Sequence, residues 1–360
     1  MGHMEMNVLQ RAFKGKKVLV TGDTGFKGSW LSLWLHELGA EVCGFALPPE
    51  TDDSHYSLLK LGTIIRHVDG DIRDLKQVQA IVDGFKPEIM FHLAAQAIVR
   101  VSYQEPKRTF DTNVGGSVNI LEAVRTSDSL KAVVYITSDK CYKNNEWVWG
   151  YRENDPLGGH DPYSASKAAA EMVFAAYHDS FLGSKKNFGI ASARAGNVIG
   201  GGDWAKNRII PDCVRSLKEG TPVLIRNPSS TRPWQHVLAP LSGYLTLAAK
   251  LLEDPKKFSG SYNFGPRVQS IKTVKELVDR SILAWGKGKS QVSPEANAPH
   301  EDGLLHLNCD KAYQCLSWYP LWDFDRTIVE TITWYKEVLG GKAAMAKTRE
   351  QIKSYMEAAG

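Results

Sequence analysis

The 360-residue chain has little cysteine, and what it has follows no pattern. Cys43, Cys141, Cys213, Cys309 and Cys315 are odd in number and scattered, with no Cys-x-x-Cys and no Cys/His spacing suited to a metal. That excludes a disulfide framework and a zinc module, leaves no metal site to expect, and fits a reducing cytoplasm. No apolar run approaches the ~18 residues that cross a bilayer, and no signal-peptide pattern opens the chain, so neither a membrane nor a secreted protein is expected. The net charge is only +4, with lysines and arginines interspersed among acids; without a basic block, nucleic acid is not an expected partner. Internal repeats and low-complexity tracts are missing too. Met1-Gly-His-Met4 reads as a remnant of an expression tag, so residues 1–10 are set aside as tag and N-terminal extension.

What is present is a regular alternation. Short apolar runs at Lys16–Thr21, Glu41–Phe45, Ile64–Asp69, Ile89–Leu93, Ala132–Thr137 and Gly189–Arg194 read as strands. Helical patterns separate them at Trp30–Leu38, Lys76–Phe85, Phe110–Thr126 and Ser164–Ser180. Alternation of this kind predicts an α/β fold, a doubly wound parallel sheet covered on both faces, with ligands at the carboxyl ends of the strands. After Asn197 the pattern loosens into Gly200-Gly-Gly202, Asn227-Pro-Ser-Ser230 and a Pro/Ala stretch at Ser293–Pro299, which reads as a smaller second lobe. The apolar helix Leu238–Leu252 and the run Gly260–Phe264 look able to return to the first domain. The expected division is therefore 11–196 completed by 236–264, a lobe from 197–235 and 265–345, and a solvated helical tail at 346–360.

Two local patterns carry chemistry. The first is Thr21-Gly-Asp-Thr-Gly-Phe-Lys-Gly28, between a strand and a helix that Gly39 stops. Gly22, Gly25 and Gly28 permit a tight turn and let the helix N-terminus offer backbone N–H groups to a pyrophosphate. The second is Tyr163-Ser-Ala-Ser-Lys167. Its four-residue spacing puts both side chains on one helix face, where an ammonium near the phenol favours the ionised form and makes Tyr163 a usable base.

These patterns occur in order with Gly70-Asp-Ile-Arg73, His92-Leu-Ala-Ala95, Thr112-Asn-Val114, Thr137-Ser-Asp-Lys140, Arg232-Pro-Trp-Gln-His-Val237 and Pro299-His-Glu301. Over nearly its whole length the chain resembles the extended short-chain dehydrogenase/reductases that act on nucleotide sugars, the NAD-dependent epimerase/dehydratase superfamily. Ala46-Leu-Pro-Pro49 and Thr137-Ser-Asp-Lys-Cys-Tyr142 point to its CDP-sugar 4,6-dehydratase branch. The resemblance implies a Rossmann-type fold with a C-terminal substrate lobe and a lyase that dehydrates CDP-glucose to CDP-4-dehydro-6-deoxy-D-glucose with transient reduction of bound NAD+. It further implies a place in deoxysugar and lipopolysaccharide O-antigen synthesis, and a homodimer or homotetramer paired through the helices near Phe110–Thr126 and Ser164–Ser180.

Residue roles follow from the resemblance. Tyr163 and Lys167 remove the C4 hydroxyl proton, with Ser138 or Thr137 bonding the 4-oxygen and Ser138 favoured. Asp139 is the acid for the 6-hydroxyl and Lys140 the base at C5. Gly22, Thr24, Gly25, Phe26, Gly28, Leu93, Ala94, Ala95 and Thr112 surround the cofactor together with Tyr163 and Lys167, and Asp71 with Ile72 meets the adenine edge unless Asp71 only caps a turn. Asn197, Arg208, Arg232 and His236 belong to the substrate site, Arg208 having a solvated surface position as its alternative and His236 a packing role.

Two departures stand out. No acid follows the second strand to hold the ribose hydroxyls; NAD is still expected over NADP because no arginine stands there either. And Asp23 sits inside the glycine loop, either facing and repelling the pyrophosphate, which would weaken NAD binding, or exposed in the turn without effect. A nucleotide-sugar 4-epimerase, a dehydratase for another nucleotide hexose, and a non-catalytic dinucleotide-binding regulator are the competing functions.

Overall fold

A computed structural model describes residues 2–206, 208–293 and 304–358. Seven strands form one parallel sheet: β1 (Lys17–Thr21), β2 (Glu41–Ala46), β3 (Arg66–Asp69), β4 (Ile89–His92), β5 (Ala132–Ile136), β6 (Gly189–Ala195) and β7 (Gly260–Phe264). Their order is β7-β6-β5-β4-β1-β2-β3. The chain winds outward in both directions from β1, so the β1/β4 boundary is the topological switch point where a ligand crevice opens.

Both faces of the sheet are buried, which explains why the strands read as continuous apolar runs. Helix α1 (Phe26–Glu37) covers one face with α5 (Leu238–Glu253); α2 (Leu75–Phe85), α3 (Gly116–Thr126) and α4 (Pro162–Tyr177) cover the other. Along β1 the side chains alternate, Val18 and Val20 joining the core that holds Trp30 and Leu245, Leu19 joining the opposite core with Ile81 and Phe174. Full burial of such a side chain contributes roughly 1.5–3 kcal/mol.

Past β6 the chain builds small pairings instead of a second sheet: Val198–Ile199 with Gln235–His236, Thr231–Pro233 with Ile271–Thr273, and Val223–Ile225 with Ser290–Val292. The Pro/Ala stretch beyond Ser293 and the Pro299-His300-Glu301 motif lie outside the described residues.

The C-terminal segment corrects the expectation of a solvated tail. Helix α7 (Ala344–Ala358) follows α6 (Phe324–Leu339) and buries Thr348, Ile352 and Tyr355, whose ring meets Trp34 of α1 at 6.0 Å. The helical spacing of these residues gathers one buried stripe out of a charged sequence. At the other end, helix Gly2–Phe13 includes residues set aside as extension, and Phe13 is fully buried. No helix among the described residues is long and apolar enough to cross a membrane.

Candidate active site

The glycine loop is packed to backbone tolerance. Gly22 adopts φ +79°, and a Cβ there would lie 2.7 Å from the Ala94 nitrogen; one on Gly28 would lie 2.0 Å from the Gly22 carbonyl oxygen. Gly25, the residue before α1, would meet only that same oxygen, at 3.3 Å. The loop is thus closed toward the protein and open outward at Gly25, a cradle for a pyrophosphate. There the first-turn N–H groups of Phe26 to Gly28 have no carbonyl one turn back. Across the crevice, the Leu93 N–H donates to the Thr21 carbonyl and the Ala94 N–H to the Thr21 hydroxyl, at 3.1 and 3.3 Å, which fixes 93–95 opposite the loop. Thr24 donates to the Leu47 carbonyl at 2.9 Å and ties the loop to the exit of β2. The residues present therefore fit a dinucleotide.

Asp71 has the turn geometry offered as its alternative. Its carboxylate accepts from the Arg73 N–H and guanidinium at 2.5–3.1 Å, and that pairing holds it below the usual carboxylate range. Ile72 is buried, with its carbonyl accepting from Asn119. Thr112 lies in a π-turn, Asp111–Gly115, and its neighbour Asn113 joins the 96 loop to Ser166 of α4.

The end of β5 and the start of α4 bring the catalytic candidates together. Ser138 caps the short turn Asp139–Cys141, donates to Asp139 at 3.0 Å and hydrogen-bonds the Tyr163 phenol. Asp139 is buried, and burial raises its pKa against the pull of Lys140, Ser138 and Lys27. Lys140 is half-buried. Lys167 stands 6.0 Å from the Tyr163 ring centroid, and burial lowers it to about 8.

Tyr163 is pushed up to about 12, because removing the phenol from water outweighs the Ser138 hydrogen bond that favours ionisation. In the bare chain Tyr163 is protonated; a further positive charge is needed to make it a base.

Thr137 does not contend with Ser138. Its hydroxyl is directed to the buried Glu171 at 2.5 Å, a carboxylate that also accepts from Ser192 and pairs with Arg194 at 2.7 Å.

Of the substrate candidates, Arg208 is pinned by Asp203 at 2.8 Å with a third of its side chain exposed, and its charge is felt by Tyr163. Asn197 follows Gly196, where a Cβ would come 2.9 Å from Asp139 and 3.4 Å from Pro233; that places Asn197 and Arg232, the residue before Pro233, around the same end of β6. His236 is a correction. It is buried between Trp30 and Trp322 with ring centroids at 5.8 and 4.8 Å, burial lowers it to about 3, and its Nδ1 accepts from the Leu238 N–H. Apolar packing around the imidazole removes it from the substrate site.

Asp23 is neither exposed nor turned to the loop opening. Its fully buried carboxylate crosses beneath β2 to His67, at 2.7 Å.

Lys27 went unnoticed in the sequence. It sits in the first turn of α1, half-buried, and interacts electrostatically with Asp139, Lys167 and Arg208; burial lowers it to about 8. A cation at a helix N-terminus opposes the helix dipole, and that local misfit was the available signal. Among the described residues no group of three or more His, Cys, Asp or Glu could hold a metal.

The model of the GDP-mannose 4,6 dehydratase family matches residues 19–331. A CDP-glucose 4,6-dehydratase of Salmonella typhimurium is 49% identical over 350 residues, 96% of this chain and 98% of the relative. Among solved structures, the UDP-glucose 4-epimerase of Thermus thermophilus in complex with NAD is 26% identical at a TM-score of 0.75, covering 89% of this chain and 99% of that one. The dTDP-glucose 4,6-dehydratase of Streptomyces venezuelae, with NAD bound, has the same fold at a TM-score of 0.77 and 24% identity, covering 90% and 98%.

Proposed function

We infer the reaction of this chain from its membership of the GDP-mannose 4,6 dehydratase family, to which it belongs: it is an NAD-dependent hydro-lyase that dehydrates CDP-glucose to CDP-4-dehydro-6-deoxy-D-glucose. The observation that carries this reading is the identity of 49% with a CDP-glucose 4,6-dehydratase across almost the full length of both chains.

The glycine loop, Thr24, 93–95 and Thr112 hold the cofactor, with Asp71 and Ile72 at its adenine end. NAD, when bound, supplies a reversible two-electron acceptor and a cationic ring beside Tyr163. Tyr163, whose pKa must fall from about 12, then takes the proton of the C4 hydroxyl, with Lys167 contributing charge and Ser138 fixing the oxygen. A C4 ketone acidifies the C5 proton, which Lys140 removes. Asp139, whose pKa burial raises, gives a proton to the 6-hydroxyl, and the elements of water leave from C5 and C6. Arg208, Arg232 and Asn197 hold the diphosphate, where guanidinium forks match phosphate oxygens.

A 4-epimerase on the same fold needs Tyr163, Lys167 and Ser138 but no acid for elimination; the buried Asp139 beside Ser138, its pKa raised, favours dehydration. Incubation with NAD+ and each of the CDP-, dTDP-, UDP- and GDP-hexoses, followed by mass measurement, tests the reading. Loss of water from CDP-glucose is expected; an isomer of unchanged mass would support the epimerase, and no turnover a regulator.

The same reading divides the chain into a cofactor domain of 11–196 with 236–264, a substrate lobe of 197–235 with 265–345, and the C-terminal helix. It places the enzyme in the cytoplasm and makes it a homo-oligomer, supported by Val118, Met172 and Phe181, which are exposed at 36%, 55% and 51% on or just after α3 and α4. The product enters deoxysugar synthesis.

A further inference from the structure

Beneath the reacting groups lies a buried ion pair that the chemistry described above does not use. Glu171 and Arg194 meet at 2.7 Å with 1% and 4% of their side chains exposed. Apolar residues in place of such a pair are often neutral for stability, so stability by itself is a weak reason for having one. Glu171 Oε1 accepts from the Thr137 hydroxyl, and Oε2 accepts from Ser192 and Arg194, at 2.5, 2.9 and 2.7 Å. The guanidinium also donates to the Tyr142 hydroxyl, the Glu153 carbonyl and the Ser261 hydroxyl, at 2.7, 2.9 and 3.2 Å.

One carboxylate thereby grips three elements that carry the site. Thr137 precedes Ser138 at the end of β5. Arg194, near the end of β6, leads to Gly196, where a Cβ would stand 2.9 Å from Asp139. Tyr163, Lys167 and Glu171 recur at helical spacing on α4, so they share one face, and all are buried. Lys167 also faces His92 from β4, Lys27 from α1 and Cys141 from the turn after β5. Burial lowers His92 to about 3 and pushes the Cys141 thiol well above its usual value, so neither is charged near neutrality, and Lys27 brings like charge. The Tyr135 phenol beside Glu171 is likewise pushed up by burial. Of these neighbours, Glu171 is the anion that opposes the loss of the Lys167 charge.

We propose that Glu171, seated on Arg194, is a positioning residue for the oxidation at C4: it sets the β5 end that carries Ser138 against Tyr163 and faces Lys167 with a fixed negative charge from one helical turn away. This rests on the reading of Tyr163, Lys167 and Ser138 as the set that takes the C4 hydroxyl proton.

Turnover of CDP-glucose by the full chain with NAD+, calorimetric NAD+ binding, and NMR of carbon-labelled lysines in the bare chain test it. Thr137→Val removes the hydroxyl that joins β5 to Glu171; kcat should fall by about tenfold, the worth of one hydrogen bond to a charged group, with KM and NAD+ affinity unchanged. Thr137→Ser should restore the rate. Glu171→Gln keeps the shape and drops the charge. The titration midpoint of Lys167, its signal assigned by its loss in Lys167→Met, should then move down by about one pH unit, and the alkaline fall in kcat should move with it. Equal rates in Thr137→Val and Thr137→Ser overturn the proposal even if Glu171→Gln does not fold, and an unmoved Lys167 midpoint in folded Glu171→Gln overturns it as well. A wild type that does not dehydrate CDP-glucose overturns the reading of the reaction instead.

Discussion

Asp71 and Asp139 both follow strands of one sheet, at the rim beyond β3 and in the pit beyond β5, and their environments drive them apart. At the rim, the Arg73 fork satisfies Asp71 and lowers its pKa; in the pit, burial outweighs every favourable neighbour of Asp139 and raises it. The same divergence separates the cations. Arg73 is raised by its carboxylate partner, whereas Lys27 and Lys167 are lowered to about 8 by burial. A rim built of matched pairs can bind; a pit of groups held near a change of protonation state can move protons.

The contrast breaks most severely at Tyr163. Tyr163→Phe removes the base for the C4 hydroxyl, so kcat should fall by about 10²–10⁴-fold with NAD+ affinity retained. Steady-state rates and calorimetry check both halves, and a near-parental rate would remove Tyr163 from the mechanism.

The two lysines around Asp139 sharpen it next. Single-turnover absorbance of the reduced cofactor, followed with deuterium exchange at C5, should show Lys140→Met stalled after cofactor reduction with exchange suppressed by about 10²-fold. Lys27→Met should retain exchange. The opposite pattern would transfer the C5 base to Lys27.

Asp139→Asn combines a loss and a gain. Dehydration should fall by at least about 10²-fold, while the unfolding midpoint near neutral pH should hold or rise by up to about 2 °C. The sign follows from the raised pKa: stability is fully present below the unfolded-state value and declines as pH rises through the folded one, a decline that the amide abolishes. Calorimetric scans of both proteins across pH 4–8 would expose an error in the direction of the shift.

Asp71→Asn is the smallest and of opposite sign. Its carboxyl is lowered by Arg73, so its contribution is present above the ordinary carboxylate value and lost as pH falls through the folded pKa. The pair is partly exposed, which limits the cost near neutrality to about 0.2–1 kcal/mol. Denaturant titrations at pH 7 and pH 3 should show the gap closing at the lower value.

Much of the molecule could be read along the chain. The six early strands and their helices follow local apolar runs, and Gly22, Gly25 and Gly28 stand where a loop between strand and helix requires them. Tyr163, Ser138 and Asp139 likewise belong to contiguous motifs, and the structure brings them together. What escaped was every property that depends on neighbours distant in sequence. His236 lay in a motif, but its tryptophan neighbours come from positions 30 and 322. Ser138 was favoured over the adjacent Thr137, but Glu171, the partner that engages Thr137, lies 34 residues away. Helix α7 appeared solvated because its charges are local, while the surface that buries its stripe belongs to α1 and α6.

The sequence by itself determined the order of strands and helices, the glycine loop and the candidate groups for the chemistry, since periodicity, turn chemistry and motif spacing act over a few residues. Tertiary structure alone decided in which direction the pKa of each group is moved. Burial raises Tyr163 and Asp139, lowers Lys27 and Lys167, and sends Asp23 beneath β2 to His67. The free energy of a charge depends on the solvent it loses and the dipoles it meets, and both are assembled from segments far apart in the chain.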